Sequence, residues 1–400
     1  MRSLCLAGRK LLLSSLMKFV YRKSGIGIFC SMFFTVVYLM VLFKPESYVL
    51  EVQPLRDRKF LQTINFENTT CTWSPEHLHG HEPLDRGLLS IQELENKYSY
   101  MINGHYTPSE CRPVQKVAII IPYRDRERGL LTFLNNVIPR IHRQNVEFGI
   151  YLVEQVPGGF FNKGTCFNAG FQQAMADYNY DCIVLHDVDI LPEDDRNLYT
   201  CGYYPKHQAV LVEQFNYSMP YLEFVGGIIT MTPGRFKQVN GFSNLYMDWG
   251  LEDDDMHRRI TVANNMTIER PPSNVALCGS IEHSRPNNMT RLNDRCYIFT
   301  NNARGWRHDG LNSARYNVVK KQSKKLFNWI VISFNTMQMR REFKAKMENI
   351  MYLRLPPVAF YSGTTEMCYY ALKNANKTID PSVEDLMANA AKTTNNIRLD

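Results

Sequence analysis

The sequence predicts an α/β fold: a mostly parallel twisted sheet flanked by helices, preceded by one N-terminal transmembrane helix. Three observations predict it. They are a 20-residue uncharged run near the start, strand-length apolar runs between residues 117 and 185, and helical periodicity in the segments between those runs. The β-branched run Val117 to Ile121, ended by Pro122, suits a strand buried on both faces of a sheet. Leu130, Leu134, Val137, Ile138 and Ile141 then recur at helical spacing, and Pro139 should kink or end that helix. Phe148 to Val153 reads as a second strand, residues 163 to 176 as a helix, and Cys182 to Leu185 as a third strand. Strands alternating with helices over short connections give a parallel sheet covered on both sides. Ala209 to Val212 and Val225 to Met231 read as further strands. Thr232 then caps, and Pro233 opens, a short helix that Gly241 stops. A helix from Glu252 to about Ala263 opens with four acids, which suit the positive end of its dipole.

The run Ser24 to Phe43 has the length of a membrane-crossing helix, and six cations with no acid precede it. The basic arm should therefore remain cytoplasmic and the rest of the chain be translocated, giving a single-pass type II topology. A cleaved signal peptide is the alternative, although its apolar core is normally shorter and nearer the start. Residues 1–23, 24–43, 44–112, 113–336 and 337–400 are accordingly expected to be a cytoplasmic arm, a signal anchor, a stem with an N-terminal cap, a catalytic domain and an extension without a legible role. The formal charge of +7 comes almost entirely from the arm, so nothing global points to nucleic acid as a partner. Eight of the ten cysteines follow the span, where an oxidising lumen makes pairing expected, and no Cys-x-x-Cys signals a zinc site. Sequons at Asn68, Asn216, Asn265, Asn288 and Asn376 fit the same compartment.

Chemistry concentrates in three places. Asp187-Val188-Asp189 follows the third strand, and ligands of open α/β sheets gather at the carboxyl ends of strands. Two such acids can hold a hard divalent cation together with substrate phosphates, where the bland reading is a solvated acidic turn. Glu252-Asp253-Asp254-Asp255 crowds four carboxylates behind Trp249, an aromatic ring that can stack on a sugar, and crowding raises one pKa towards a base's working range. A run of helix-capping acids is the bland reading there. His283, one of ten histidines, says little alone.

Taken in order, these pieces resemble the β-1,4-galactosyltransferase family, Golgi type II enzymes with a GT-A-like nucleotide-sugar transferase fold. The resemblance runs from about Cys71 to Ile332. It rests on Val117 through Arg126, Phe161-Asn162-Lys163, Asp187-Val188-Asp189, Phe224 through Gly227, Trp249 through Asp255, His283-Ser284-Arg285 and Asp309 through Ser313. It implies an inverting transfer of galactose from UDP-Gal, in β-1,4 linkage, to a terminal N-acetylglucosamine or related sugar on protein or lipid. The alternatives are UDP-GalNAc as donor, a lectin-like protein of the same fold without turnover, and, more remotely, a hydrolase.

The resemblance places Pro122, Tyr123, Arg124, Arg126, Phe161, Asp187 and Val188 around the UDP-sugar. Trp249 would sit on a loop that closes over it, and the segment around residues 281 to 302 would form a longer one. Asp253 would be the base, with Glu252 and Asp254 orienting the acceptor and Tyr221 lining its pocket. Asp189 and His283 would ligate Mn²⁺. Ser280 stands where the family has a methionine ligand, which leaves Mg²⁺ usable by a harder site. Phe224 occupies the donor-selecting position, and Cys296 replaces an aromatic of the acceptor pocket beside Arg295. The implied disulfides are Cys71–Cys111 and Cys182–Cys201.

Overall fold

The computed structural model describes residues 70–73, 75–282, 292–351 and 363–375. Among them no helix is long and apolar enough to cross a membrane. The expected arm and span, and the sequons Asn68, Asn288 and Asn376, lie outside the described residues. All of those described belong to one unit, Ile64–Asp400.

The segment expected to be an irregular cap contains α1 (Ile91–Lys97), opened by a reciprocal Ser90–Glu93 capping box, and the short strand β1 (His105–Tyr106). The expected β-α-β-α-β run follows: β2 (Lys116–Tyr123), α2 (Glu127–His142), β3 (Glu147–Gln155), α3 (Lys163–Asp177) and β4 (Cys182–His186). After these come β5 (Ile190–Pro192), β6 (Lys206–His207), β7 (Leu211–Val212), β8 (Ile228–Met231), α4 (Pro233–Gln238), α5 (Glu252–Arg258) and β9 (Leu277–Ser280). The chain continues through α6 (Leu292–Gly305), β10 (Asn317–Ser323), β11 (Asn328–Ser333), α7 (Thr336–Met351) and α8 (Gly363–Asn374).

The main sheet has the order β10-β11-β3-β2-β4-β8-β6, with β1 also pairing β3. Its centre is parallel, β11 with β3, β3 with β2 and β2 with β4, whereas every outer pairing is antiparallel. The sheet is therefore mixed rather than mostly parallel. The reason is visible in the connections: β4 and β8 have no crossover helix between them to turn the chain round, and β10 and β11 form a hairpin. Two strands also prove shorter than their apolar runs suggest. Ala209 and Val210 lie before β7, and Val225 to Gly227 before β8.

Alternate residues of β2 face opposite cores. Val117, Ile119 and Ile121 join one apolar cluster with α2, while Ala118 and Ile120 join a second with α3. At Gly170 a Cβ would stand 2.4 Å from Ile120 Cγ2, so the glycine lets α3 lie directly on the sheet.

Pro139 does not end α2, which runs on to His142. A proline in mid-helix strands the carbonyl four residues earlier. Here that carbonyl, on Asn135, accepts a hydrogen bond from the buried Tyr98 hydroxyl at 2.8 Å. The helix expected to reach Ala263 is also revised: α5 stops at Arg258 and continues as a single π turn, Arg259–Ala263.

Both expected disulfides are present, together with a third, Cys296–Cys368. Cys166 and Cys278 are buried free thiols. The sequons Asn216 and Asn265 are exposed, both with left-handed backbone.

Candidate active site

One cleft of about 590 Å³ opens at the carboxyl ends of the central strands. From the end of β2 come Pro122, Arg124 and Arg126, and from the approach to α3 come Phe161 and Lys163. The turn after β4 contributes Asp187, Val188 and Asp189, and the segment before β8 contributes Tyr221 and Phe224. Trp249 and the first residues of α5 line the far side. Tyr123 points away from the cleft and packs with the α2 core, which follows from strand alternation after Pro122. Its hydroxyl bonds to the Arg126 backbone, so it supports the arginine loop from behind.

The four acids of α5 have separate duties. Asp255 is buried between Arg258 and Arg259 at 2.5 and 2.7 Å, and Arg259 reaches on to Asp309 at 3.3 Å. Glu252, Asp253 and Asp254 face the cleft. Lys163 ties two of them together: its ammonium lies 2.8 Å from both Glu252 and Asp253, and 3.4 Å from Asp187. Asp254 accepts from the Thr364 hydroxyl at 2.9 Å and also bonds Tyr221.

Burial raises the Asp253 carboxyl to about 8, with Glu252 and Asp187 adding to the rise and Lys163 opposing it. Burial likewise pushes Asp187 up to about 6, again against Lys163. His186, wholly buried behind them, bonds the Tyr199 hydroxyl at 2.6 Å and is kept neutral, its pKa lowered by burial to about 4.

Small residues make the space for this arrangement. A Cβ on Gly226 would stand 2.9 Å from an Asp253 carboxylate oxygen and 2.8 Å from the Phe224 ring. Around Trp249, which is 59% exposed, Asp248, Gly250 and Leu251 all have positive φ, so the tryptophan sits on a tight turn directly before α5. Phe224 is held edge-on by His207, Phe215 and Tyr221, with ring centroids 5.4 to 5.7 Å away.

Of the expected metal ligands, Asp189 lines the cleft and Ser280 lies on the neighbouring strand. Ile190 pairs with Ser280, and the Ile281 amide donates to the Asp189 carbonyl at 2.9 Å. His283 lies outside the described residues. The donor set fits a hard divalent cation: Asp187 and Asp189 share one cleft, and burial, with the Asp189 charge adding to it, raises the Asp187 carboxyl in the direction that a cation would reverse. A separate group that could geometrically hold an ion, His79, Glu82 and Asp195, is instead neutralised by Arg143, which pairs with both acids.

Sequence reasoning assigned no role to Lys163 or to residues beyond 336. Lys163 carried a signal, since it stands in the Phe161-Asn162-Lys163 motif. Thr364 and Met367 of α8 also line the cleft, held there by the Cys296–Cys368 disulfide, which local sequence does not single out from the free thiols Cys166 and Cys278.

Residues 71–202 match the N-terminal region of glycosyl transferase group 7, and residues 206–284 match the N-terminal domain of galactosyltransferase. The chain is 37% identical over 248 residues to β-1,4-galactosyltransferase 4 of Cricetulus griseus, covering 62% of this chain and 72% of that one. The chain belongs to the β-1,4-galactosyltransferase family. It is accordingly a hexosyltransferase. Mouse β-1,4-galactosyltransferase 1 is 39% identical over 233 residues, 58% of each chain. Among solved structures, a mutant of Drosophila β-1,4-galactosyltransferase 7 in complex with manganese, UDP-Gal and xylobiose is 28% identical. It covers 56% of this chain and 95% of that one at a TM-score of 0.45. The family's group 7 regions end at residue 284, so α6, α7 and α8 lie beyond them.

Proposed function

We propose that this family member transfers galactose from UDP-Gal, with inversion, to the 4-hydroxyl of a terminal N-acetylglucosamine or related sugar, in a Golgi lumen to which an N-terminal anchor confines it. The observation that carries the reading is the placing of Asp253 in one cleft with the arginines of the β2 loop and the Asp187–Asp189 turn.

Arg124 and Arg126 suit a diphosphate because planar guanidinium forks match its oxygens. Phe161 offers a ring beside the base. The acceptor hydroxyl oxygen attacks the anomeric carbon, the bond from that carbon to the UDP oxygen breaks, and the hydroxyl proton passes to the Asp253 carboxylate. Lys163 favours the ionised form that this task needs, against the effect of burial. Glu252 and Asp254 fix the acceptor, and the Trp249 turn closes over the donor to exclude water. Asp189, His283 and Ser280 would hold Mn²⁺, which supplies positive charge against the departing diphosphate.

UDP-Gal is preferred to UDP-GalNAc because Phe224, wedged among three rings, leaves little room beside the sugar's C2 substituent. The lectin-like reading is disfavoured by a cleft lined at once by Asp253, Arg124, Arg126, Asp187 and Asp189, which a protein without turnover has no need to keep together. The test is to incubate the detergent-solubilised full-length chain with each donor, Mn²⁺ and a panel of terminal sugars. Galactosylated N-acetylglucosamine is expected. Absence of any product would overturn the function, and faster GalNAc transfer would overturn the donor assignment. Protease protection of the region after Lys44 in intact microsomes checks the topology, and its digestion would reject the lumenal placement.

A further inference from the structure

The helix α8 reaches the cleft from a part of the chain that the family's group 7 regions do not include. Two features fasten it there. The Cys296–Cys368 disulfide ties it to α6, 72 residues earlier in the sequence. Cys368 and Leu372 are also fully buried in an apolar cluster with Leu245, Tyr246 and Leu251. Leu251 is the residue from which α5 begins, so α8 is clamped to the root of the helix that carries Asp253 and Asp254.

From this position α8 turns two side chains to the cleft. The Thr364 hydroxyl donates to Asp254 at 2.9 Å, fixing one carboxylate oxygen. Met367 is 43% exposed and lines the cleft together with Leu292 and Arg295 of α6. A thioether on an unbranched stem adapts its shape to an apolar group set against it. Cys296 is itself buried and used up in the disulfide, so it offers nothing to a ligand. The apolar surface on this side of the cleft comes instead from Met367 and Leu292.

We propose that α8 forms the outer wall of the acceptor subsite, in which Met367 selects sugars carrying an apolar substituent, such as the methyl of an acetamido group, and Thr364 is a positioning residue for Asp254. The inference rests on reading the cleft as a glycosyltransferase site. It adds that acceptor choice in this chain is set from α8, through a disulfide that carries no chemistry of its own.

The test uses the full-length chain at saturating UDP-Gal, with paired acceptors that differ only in an acetamido or a hydroxyl group at C2. Met367→Ser is expected to raise the acceptor KM for the acetamido sugar about tenfold, the scale of one lost apolar contact. The KM for its hydroxyl counterpart and for UDP-Gal should stay within about twofold. Met367→Leu, which keeps apolar bulk, should retain the preference. Because Met367 is exposed, neither variant should disturb folding. An unchanged preference in Met367→Ser would overturn the selector role.

Thr364→Val is expected to raise KM for both acceptors while leaving the donor KM unchanged, and Thr364→Ser should restore it. Equal failure of Val and Ser would overturn the positioning role. Titration of wild type with UDP alone tests the underlying reading separately: no binding would reject the cleft as a nucleotide-sugar site, whatever the α8 variants do.

Discussion

Asp253 shows how a single residue's environment fits it to the work proposed for it. Burial and two neighbouring carboxylates push its proton affinity up, and Lys163 pulls it down, leaving a group whose affinity lies close to neutral pH. Such a poise suits a general base. Asp253→Asn keeps the size and removes the basicity, so transfer should fall by roughly 10²–10⁴-fold while UDP binding persists. Wild-type turnover in that variant, measured by product formation, would reject the assignment. Ser280, unlike Asp253, departs from the pattern of the family. A hydroxyl in place of a thioether should weaken Mn²⁺ affinity and leave Mg²⁺ usable, because softness of the donor selects among divalent ions. A metal titration compares wild type with Ser280→Met. Tighter Mn²⁺ activation and poorer Mg²⁺ support are expected in the variant, whereas superimposable curves would mean that position 280 does not face the metal.

Elements hold these residues by satisfying each other's loose ends. The helix α2 survives Pro139 because Tyr98, just past α1, caps the carbonyl that the proline leaves stranded. Tyr98→Phe should therefore destabilise the fold by about 1–3 kcal/mol, the range for a buried acceptor left unpaired. It should leave acceptor and donor KM unchanged, because neither Tyr98 nor Asn135 lines the cleft. Denaturant unfolding and steady-state kinetics on the same preparation check both halves. The helix α5 holds its place in a different way: its fourth acid, Asp255, is pinned by two arginines, which frees the first three to face the cleft. Legibility at this scale followed periodicity. The β2-α2-β3-α3-β4 run was readable because each element has its own period and is buried on a predictable face. The hairpin β10–β11 was not, since every residue of β10 is exposed and its sequence carries no apolar alternation.

For the whole molecule, buried histidines couple stability to pH. His207 lies wholly buried beneath the cleft, bonded to the Gly226 carbonyl at 3.0 Å, and burial lowers its pKa to about 3. Between the ordinary value near 6.5 and this lowered one, the unfolded chain takes up a proton that the folded chain refuses, so stability present above pH 6.5 is lost as pH falls. The slope approaches about 1.4 kcal/mol per pH unit, or roughly 2 kcal/mol between pH 6.5 and 5. Asp253 and Asp187, whose affinities are raised, act in the opposite sense, so the measurement must be a difference. The stability gap between wild type and His207→Gln, taken by denaturant at pH 7 and pH 5, should move in the variant's favour at pH 5, and a constant gap would refute the coupling.

What the sequence alone determined is the chemistry and its order along the chain: buried strands that end in acids, an arginine loop, a carboxylate-crowded helix start, and the family these spell out. Those signals are local, carried by residue type and spacing within a dozen positions. Tertiary structure decided what depends on distant segments meeting. Lys163 and the acids it bridges are 24 to 90 residues apart, and nothing in either segment specifies the other. The outer antiparallel pairings depend on how connections turn back across the sheet. The place of α8 depends on Cys368 finding Cys296, and with two unpaired thiols also present the sequence could not choose that pair. The C-terminal residues reached the cleft because a disulfide and a shared apolar core brought them there.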